Sequence, residues 1–227
     1  MQIFIGGTEI ELIRKKIKNM HLYVLRPDGK VRLTVPERLS DEKIESFLLS
    51  RLDWIQEQQK KINAEPHSDP PKYTTGEMIT IFGKKYSLEV AFSNKNAFDF
   101  FGERAILYCK ASSSPSQREA IVEKALRKEL YERTEPLFKK WELITDLHPS
   151  SYQIKKMKTR WGTCNTRTKK IWLNLELAHK SEESIEYVIM HELAHLRVSN
   201  HGKDFVAVMD YYMPRWRELR EKLNNEK

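Results

Sequence analysis

The chain has 227 residues, 40% of them hydrophobic, and 40 Lys and Arg against 32 Asp and Glu give a net charge of +8. This is enough for one sizeable core or two small ones, and it excludes disorder as a global description. No apolar run approaches the ~20 residues a membrane span needs, and the opening residues lack the charged-then-apolar order of a signal peptide. The two cysteines, Cys109 and Cys164, are too few for a disulfide framework, so a cytoplasmic protein with reduced thiols is expected.

The first hundred or so residues alternate apolar and polar side chains around turn signals. "HLYVLRPDGKVRLTVP" folds about Pro27-Asp28-Gly29, "ITIFGKKYSLEVAF" about Phe82-Gly83-Lys84, and "FDFFGERAILYC" about Gly102, which predicts three β-hairpins. Between the first two, residues 39–61 read as one helix, with Ser40 as N-cap and Ile44, Phe47, Leu48 and Ile55 near helical spacing. "NAEPHSDPPKYTTG" stops it with three prolines and reads as a loop. A second long helix is predicted over 114–145. Ser114 caps it, Pro115 stands at its first position, Gln117 completes a Ser-x-x-Gln box, and Pro136 marks a kink or break. Two strands come next, "SYQIKKMKT" and "KIWLNLEL", joined by "RWGTCNTRTK". No internal repeat is evident. The fold class expected is α+β, with a β-rich region over 1–113 and a second region over 114–227 in one compact unit.

From residue 147 to residue 175 there is no acid, while Lys155, Lys156, Lys158, Arg160, Arg167, Lys169 and Lys170 all fall inside. A one-signed segment attracts phosphate or carboxylate-rich partners; equally, it is a solvated strand face with its lysines outward.

"SEESIEYVIMHELAHLRVSNHGKDF" carries the sharpest signal. Ser181 caps a helix with two glutamates in its first turn, where the helix dipole favours negative charge. Ile185, Ile189, Leu193 and Leu196 form an apolar stripe, and His191 and His195 share the other side. Residues four apart lie one above the other on a helix, so these two imidazoles can face a single ion while Glu192, one position on, stays near an ion-bound water. Zinc needs a third ligand, and His201, between the turn-formers Asn200 and Gly202, is the candidate. Three histidines leave a fourth position open, as a catalytic rather than a structural zinc requires. The other four histidines, His21, His67, His148 and His179, lack such context. Asp204 and Asp210 are candidate acceptors for a ligand imidazole N–H or ordinary surface acids, and Met209 and Met213 read as core.

"RWGTC" followed by an apolar strand and "YVIMHELAHL...NHGKDF" resembles the YgjP-like metal-dependent hydrolases, relatives of the WLM and SprT-like zinc metallopeptidases. The resemblance implies a minimal zincin-like half with the metal helix packed on a small sheet, His191, His195 and His201 as Zn²⁺ ligands, and Glu192 as general base. Unlike the metzincin pattern, this chain has Val198 where a glycine is expected, so the turn to the third histidine must be made differently. Arg160 stabilises an oxyanion or clamps a phosphate on one reading and forms a structural corner with Trp161 and Gly162 on the other; Cys164 is too isolated to be a nucleophile.

The expected reaction is zinc-dependent hydrolysis of a peptide or protein substrate, with Glu192 accepting a proton from water. Two alternatives share these residues: hydrolysis of a nucleotide phosphoanhydride drawn in by Arg160, and a DNA- or RNA-associated protein that uses the basic segment 155–170 and keeps a structural metal.

Overall fold

The computed structural model describes residues 1–25, 28–64 and 71–226. The chain divides into two compact units, Met1–Pro70 and Pro71–Lys227.

The first unit is a four-stranded sheet in the order β1-β2-β4-β3, built from Gln2–Ile5 (β1), Thr8–Lys15 (β2), His21–Val24 (β3) and Val31–Pro36 (β4). β1–β2 and β3–β4 are antiparallel, and β2 pairs with β4 in parallel. Alternation decides which face is buried: Val31, Leu33 and Val35 point inward while Arg32, Thr34 and Pro36 remain half-exposed. Helices Asp41–Leu49 (α1) and Leu52–Ala64 (α2) supply Ile44, Leu48 and Ile55 to the same core. The single helix expected over 39–61 is therefore two. At the break the Arg51 amide bonds Leu48 O, three residues back, and the Ser50 hydroxyl donates to Phe47 O, so the chain tightens for one turn before α2 starts. The β1–β2 hairpin is additional to the three predicted ones. Its signal is Gly6-Gly7, both at positive φ, which a two-residue hairpin loop requires. Pro27 of the first predicted turn, and residues 65–70 of the predicted loop, lie outside the described residues.

The second unit opens with another four-stranded sheet, Met78–Ile81 (β5), Lys84–Phe92 (β6), Ala97–Phe101 (β7) and Arg104–Cys109 (β8), in the order β5-β6-β8-β7. The two remaining predicted hairpins are β5–β6 and β7–β8. Pro115–Thr145 forms α3 with its capping box in place, and it runs unbroken through Pro136. Val122, Leu126, Leu130, Phe138 and Trp141 line one face of α3 and share a core with Leu88, Phe98 and Leu107 of the sheet. That shared core puts strands 78–109 in the same unit as α3.

A three-stranded sheet comes next, in the order β10-β11-β9: Ser151–Lys155 (β9), Gly162–Asn165 (β10) and Lys170–Asn174 (β11). "RWGTCNTRTK", expected as a connection, thus contains a strand of its own, and "LEL" leaves the sheet in a 3-10 turn, Leu175–His179. Glu182–Ala194 (α4) packs on β10 and β11, and Lys203–Tyr212 (α5) and Trp216–Asn225 (α6) close the unit. The architecture is α+β, with the His-Glu-x-x-His helix on a small sheet. Among the described residues no helix is long and apolar enough to cross a membrane.

Candidate metal centre

The Ser181 hydroxyl accepts from the Ser184 amide at the start of α4, as its position predicts. Ile185, Ile189 and Leu193 are fully buried, which fixes the rotation of the helix. That rotation turns His191 and His195 to one cleft. Leaving α4, the chain is held by an imidazole instead of a glycine: His195 Nδ1–H donates to Val198 O at 3.0 Å, while the Val198 amide bonds Ala194 O. This is how the turn is made without the missing glycine, and it fixes the tautomer that leaves His195 Nε2 free as a donor to a metal. Gly202 has an extended backbone, and its amide donates to Asn200 Oδ1 at the start of α5.

One ring nitrogen from each of His191, His195 and His201 lies within 4.8 Å of the other two. His191 Nε2 and His201 Nε2 face each other at 3.0 Å. Two such lone pairs repel unless a proton or a cation stands between them, and a tetrahedral zinc holds neighbouring nitrogens about 3.3 Å apart. Burial, followed by the neighbouring charges of His195, His201 and Arg220, pushes the His191 pKa down to about 3; burial also lowers that of His195. Both effects favour the neutral imidazole that a metal takes. The ring of Phe205, 2% exposed, floors the cluster at 4.9, 4.8 and 4.8 Å from the His191, His195 and His201 rings. Periodicity gives no reason to single out Phe205; its signal is proximity to the third histidine on the first turn of α5.

Glu192 is 5% exposed, and its Oε2 has no hydrogen-bond partner among the described residues. Burial pushes its pKa up to about 8, partly opposed by the charge of Arg160. Gly162 explains how a carboxylate fits here: a Cβ on that residue would stand 2.6 Å from Glu192 Oε1 and 2.7 Å from Cγ. The glycine of "RWGTC" is therefore required by the close approach of β10 to α4.

The loop before β10 is organised by Asn174, a residue that no motif or spacing singles out. Its side-chain nitrogen donates to Met157 O and Arg160 O at 2.9 and 2.8 Å, its side-chain oxygen accepts from the Met157 and Glu176 amides, and its backbone amide donates to Trp161 O. Every polar group of this buried side chain is used, and the backbone of Arg160 and Trp161 is held at the cleft mouth. The cleft, about 540 Å³, brings together Arg160, Gly162, Glu192 and the three histidines with Arg220 and Asn224 of α6.

The remaining candidates stand apart. Asp210 pairs with Arg217 and Trp216, so its carboxylate is taken. Asp204 is exposed and makes no bond to a ligand imidazole among the described residues. Met209 and Met213 are buried in the core. Burial pushes the Cys164 thiol up to about 11, far from a thiolate nucleophile. In the basic segment, Lys156 is paired with Glu119 and Glu123, and Lys155 lies over the Trp172 ring. His148 bonds Glu142 and Asp146, His179 bonds Thr80 O, and His67 lies outside the described residues.

A buried carboxylate beside a cluster of three imidazoles is the constellation of a metal-dependent hydrolase. The model of the YgjP-like metallopeptidase domain matches residues 18–226, and the chain belongs to that family. Two solved structures are similar to part of the chain. The metallopeptidase zymogen abylysin of Pyrococcus abyssi is 23% identical over 39% of this chain and 90% of its own, with a TM-score of 0.37. The zymogen jannalysin of Methanocaldococcus jannaschii is 25% identical over 40% of this chain and 92% of its own, with a TM-score of 0.36. None of the curated proteins matches.

Proposed function

We propose that the protein is a zinc-dependent metallopeptidase in which His191, His195 and His201 hold Zn²⁺, Glu192 is the general base and Arg160 stabilises the oxyanion. The observation that carries this reading is the convergence of three imidazole nitrogens within 4.8 Å beside a buried carboxylate with one unpartnered oxygen. Three imidazole nitrogens are a donor set for zinc, whereas Mg²⁺ and Mn²⁺ favour oxygen. When bound there, zinc supplies Lewis acidity that polarises a carbonyl and acidifies water.

The protein's own groups do the rest. Glu192 Oε2, buried and without a partner among the described residues, orients a water, takes its proton and returns it to the departing amine. Gly162 keeps the carboxylate uncrowded, and Asn174 holds the Arg160 backbone so that the guanidinium can meet the developing oxyanion. The free thiols of Cys109 and Cys164 fit our placement of the protein in the cytoplasm.

The test is hydrolysis of a mixed peptide library by the zinc-loaded protein. Cleavage should cease on chelation, return with zinc and be lost in Glu192→Gln. Release of pyrophosphate from nucleoside triphosphates, dependent on Glu192 and without any peptide cut, would overturn the reading.

A further inference from the structure

Part of the cleft lining belongs to α6, whose polar residues there are Arg220 and Asn224. The arginines nearest to Arg220 in sequence are paired: Arg215 with Glu218 and Arg217 with Asp210. Among the described residues Arg220 has no carboxylate partner, and the sole acid lining the cleft is the buried Glu192. Two unpaired guanidiniums therefore face one carboxylate, and the cleft walls focus that positive field on whatever enters.

The helix carrying Arg220 is held at its far end. Glu226 accepts hydrogen bonds from the Ser181 amide and the Ser181 hydroxyl at the N-terminus of α4, the buried Lys180 ammonium donates to the Glu226 carbonyl, and Lys222 pairs with Glu183. Trp216, Leu219 and Leu223 bury the inner face of α6. Arg220 thus projects from an element tied to the same helix that carries His191, which lowers the entropy cost of using it in recognition.

We infer that Arg220 determines specificity, selecting peptides with an aspartate or glutamate side chain beside the scissile bond. This rests on the peptidase reading above. Arg160 is occupied with the reacting carbonyl, so Arg220 is the free cation left for a side chain. A planar carboxylate can meet its guanidinium through two hydrogen bonds, whereas a lysine or arginine side chain there is repelled.

The test uses the zinc-loaded full chain and matched fluorogenic peptides with Glu, Gln or Lys at single positions on either side of the cut. The expected result for the wild type is a position at which kcat/KM for Glu exceeds that for Gln by about tenfold, with Lys below Gln. Arg220→Glu should reverse that order, and Arg220→Lys should keep it with a smaller ratio. In the wild type itself, raising salt from about 0.05 to about 0.5 M should shrink the Glu-to-Gln ratio, a readout that does not depend on any variant folding. Peptides cut with no charge preference, or a preference unchanged in Arg220→Glu, would overturn the inference while leaving the peptidase reading intact. If no peptide is cut at all and nucleoside triphosphates are hydrolysed instead, the peptidase reading falls and the specificity falls with it.

Discussion

The two four-stranded sheets have the same plan. Each is a hairpin, a parallel pairing and a second hairpin, giving the orders β1-β2-β4-β3 and β5-β6-β8-β7. Each opens with a two-residue loop whose residues both have positive φ: Gly6-Gly7 in the first and Phe82-Gly83 in the second. The helices after the two sheets differ. In the first unit the helix breaks at Ser50-Arg51, and the core consists of Ile10, Leu12, Val31, Leu33, Val35, Ile44, Leu48 and Ile55. In the second, α3 runs for 31 residues, and its core continues without a gap from β5–β8 through β9–β11 into α4, α5 and α6. Even the turn is put to use: Phe82 tolerates a left-handed backbone because its amide bonds Ala178 O and its ring lies 4.0 Å under the Arg133 guanidinium. One topology thus serves as a plain sheet in one unit and as the foundation of a site in the other, and the long helix makes the difference.

If the site is built wholly from the second unit, the largest effects belong there. Glu192→Gln should retain metal and lose about 10²- to 10⁴-fold in kcat, the usual contribution of a general base; a smaller loss would move the proton acceptor elsewhere. Leu130→Ala, in α3, removes a fully buried side chain and should cost about 2–5 kcal/mol of the second unit's stability, with metal affinity falling alongside. Leu33→Ala, equally buried in the first unit, should cost about as much there and leave zinc content and peptide cleavage alone. Loss of metal in that variant would refute the division of labour. Gly162→Ala crowds Glu192 and should reduce kcat about tenfold without loss of zinc, since a small displacement of a catalytic group is costly.

The smallest effect lies on the surface. Asp146 and Glu142 raise the pKa of His148, first through the hydrogen bond with Asp146 and then through that with Glu142. A raised folded-state pKa stabilises below the unfolded value and loses that contribution as pH rises through the folded one. Melting temperatures of wild type and His148→Gln should therefore differ slightly at pH about 5.5 and converge near pH about 8.5, bracketing the ordinary histidine pKa of about 6.5.

Much of the fold and site is legible in the sequence because local rules determine it. The capping box at Ser114, the cap at Ser181 and three hairpins arise from short-range chemistry, and the i, i+4 spacing of His191 and His195 is a property of any helix. The illegible parts depend on what lies across the fold. Gly162 looks like a turn residue until α4 brings Glu192 against it. Asn174 is one polar residue in an apolar strand until the loop folds over it, and Phe205 is one more aromatic until three imidazoles sit on its ring. The repeated sheet plan is harder to see in the sequence, because the parallel β2–β4 and β6–β8 pairings join strands that are not neighbours in the chain.

The most direct measurement is metal content by elemental analysis of the purified wild type, His191→Ala, His195→Ala, His201→Ala and Glu192→Gln, each checked for an unchanged fold by circular dichroism. Three-imidazole coordination predicts about one zinc per chain in the wild type and in Glu192→Gln, and almost none in each histidine variant. A folded His201→Ala protein that keeps its full zinc, with an affinity equal to that of the wild type, would contradict the account.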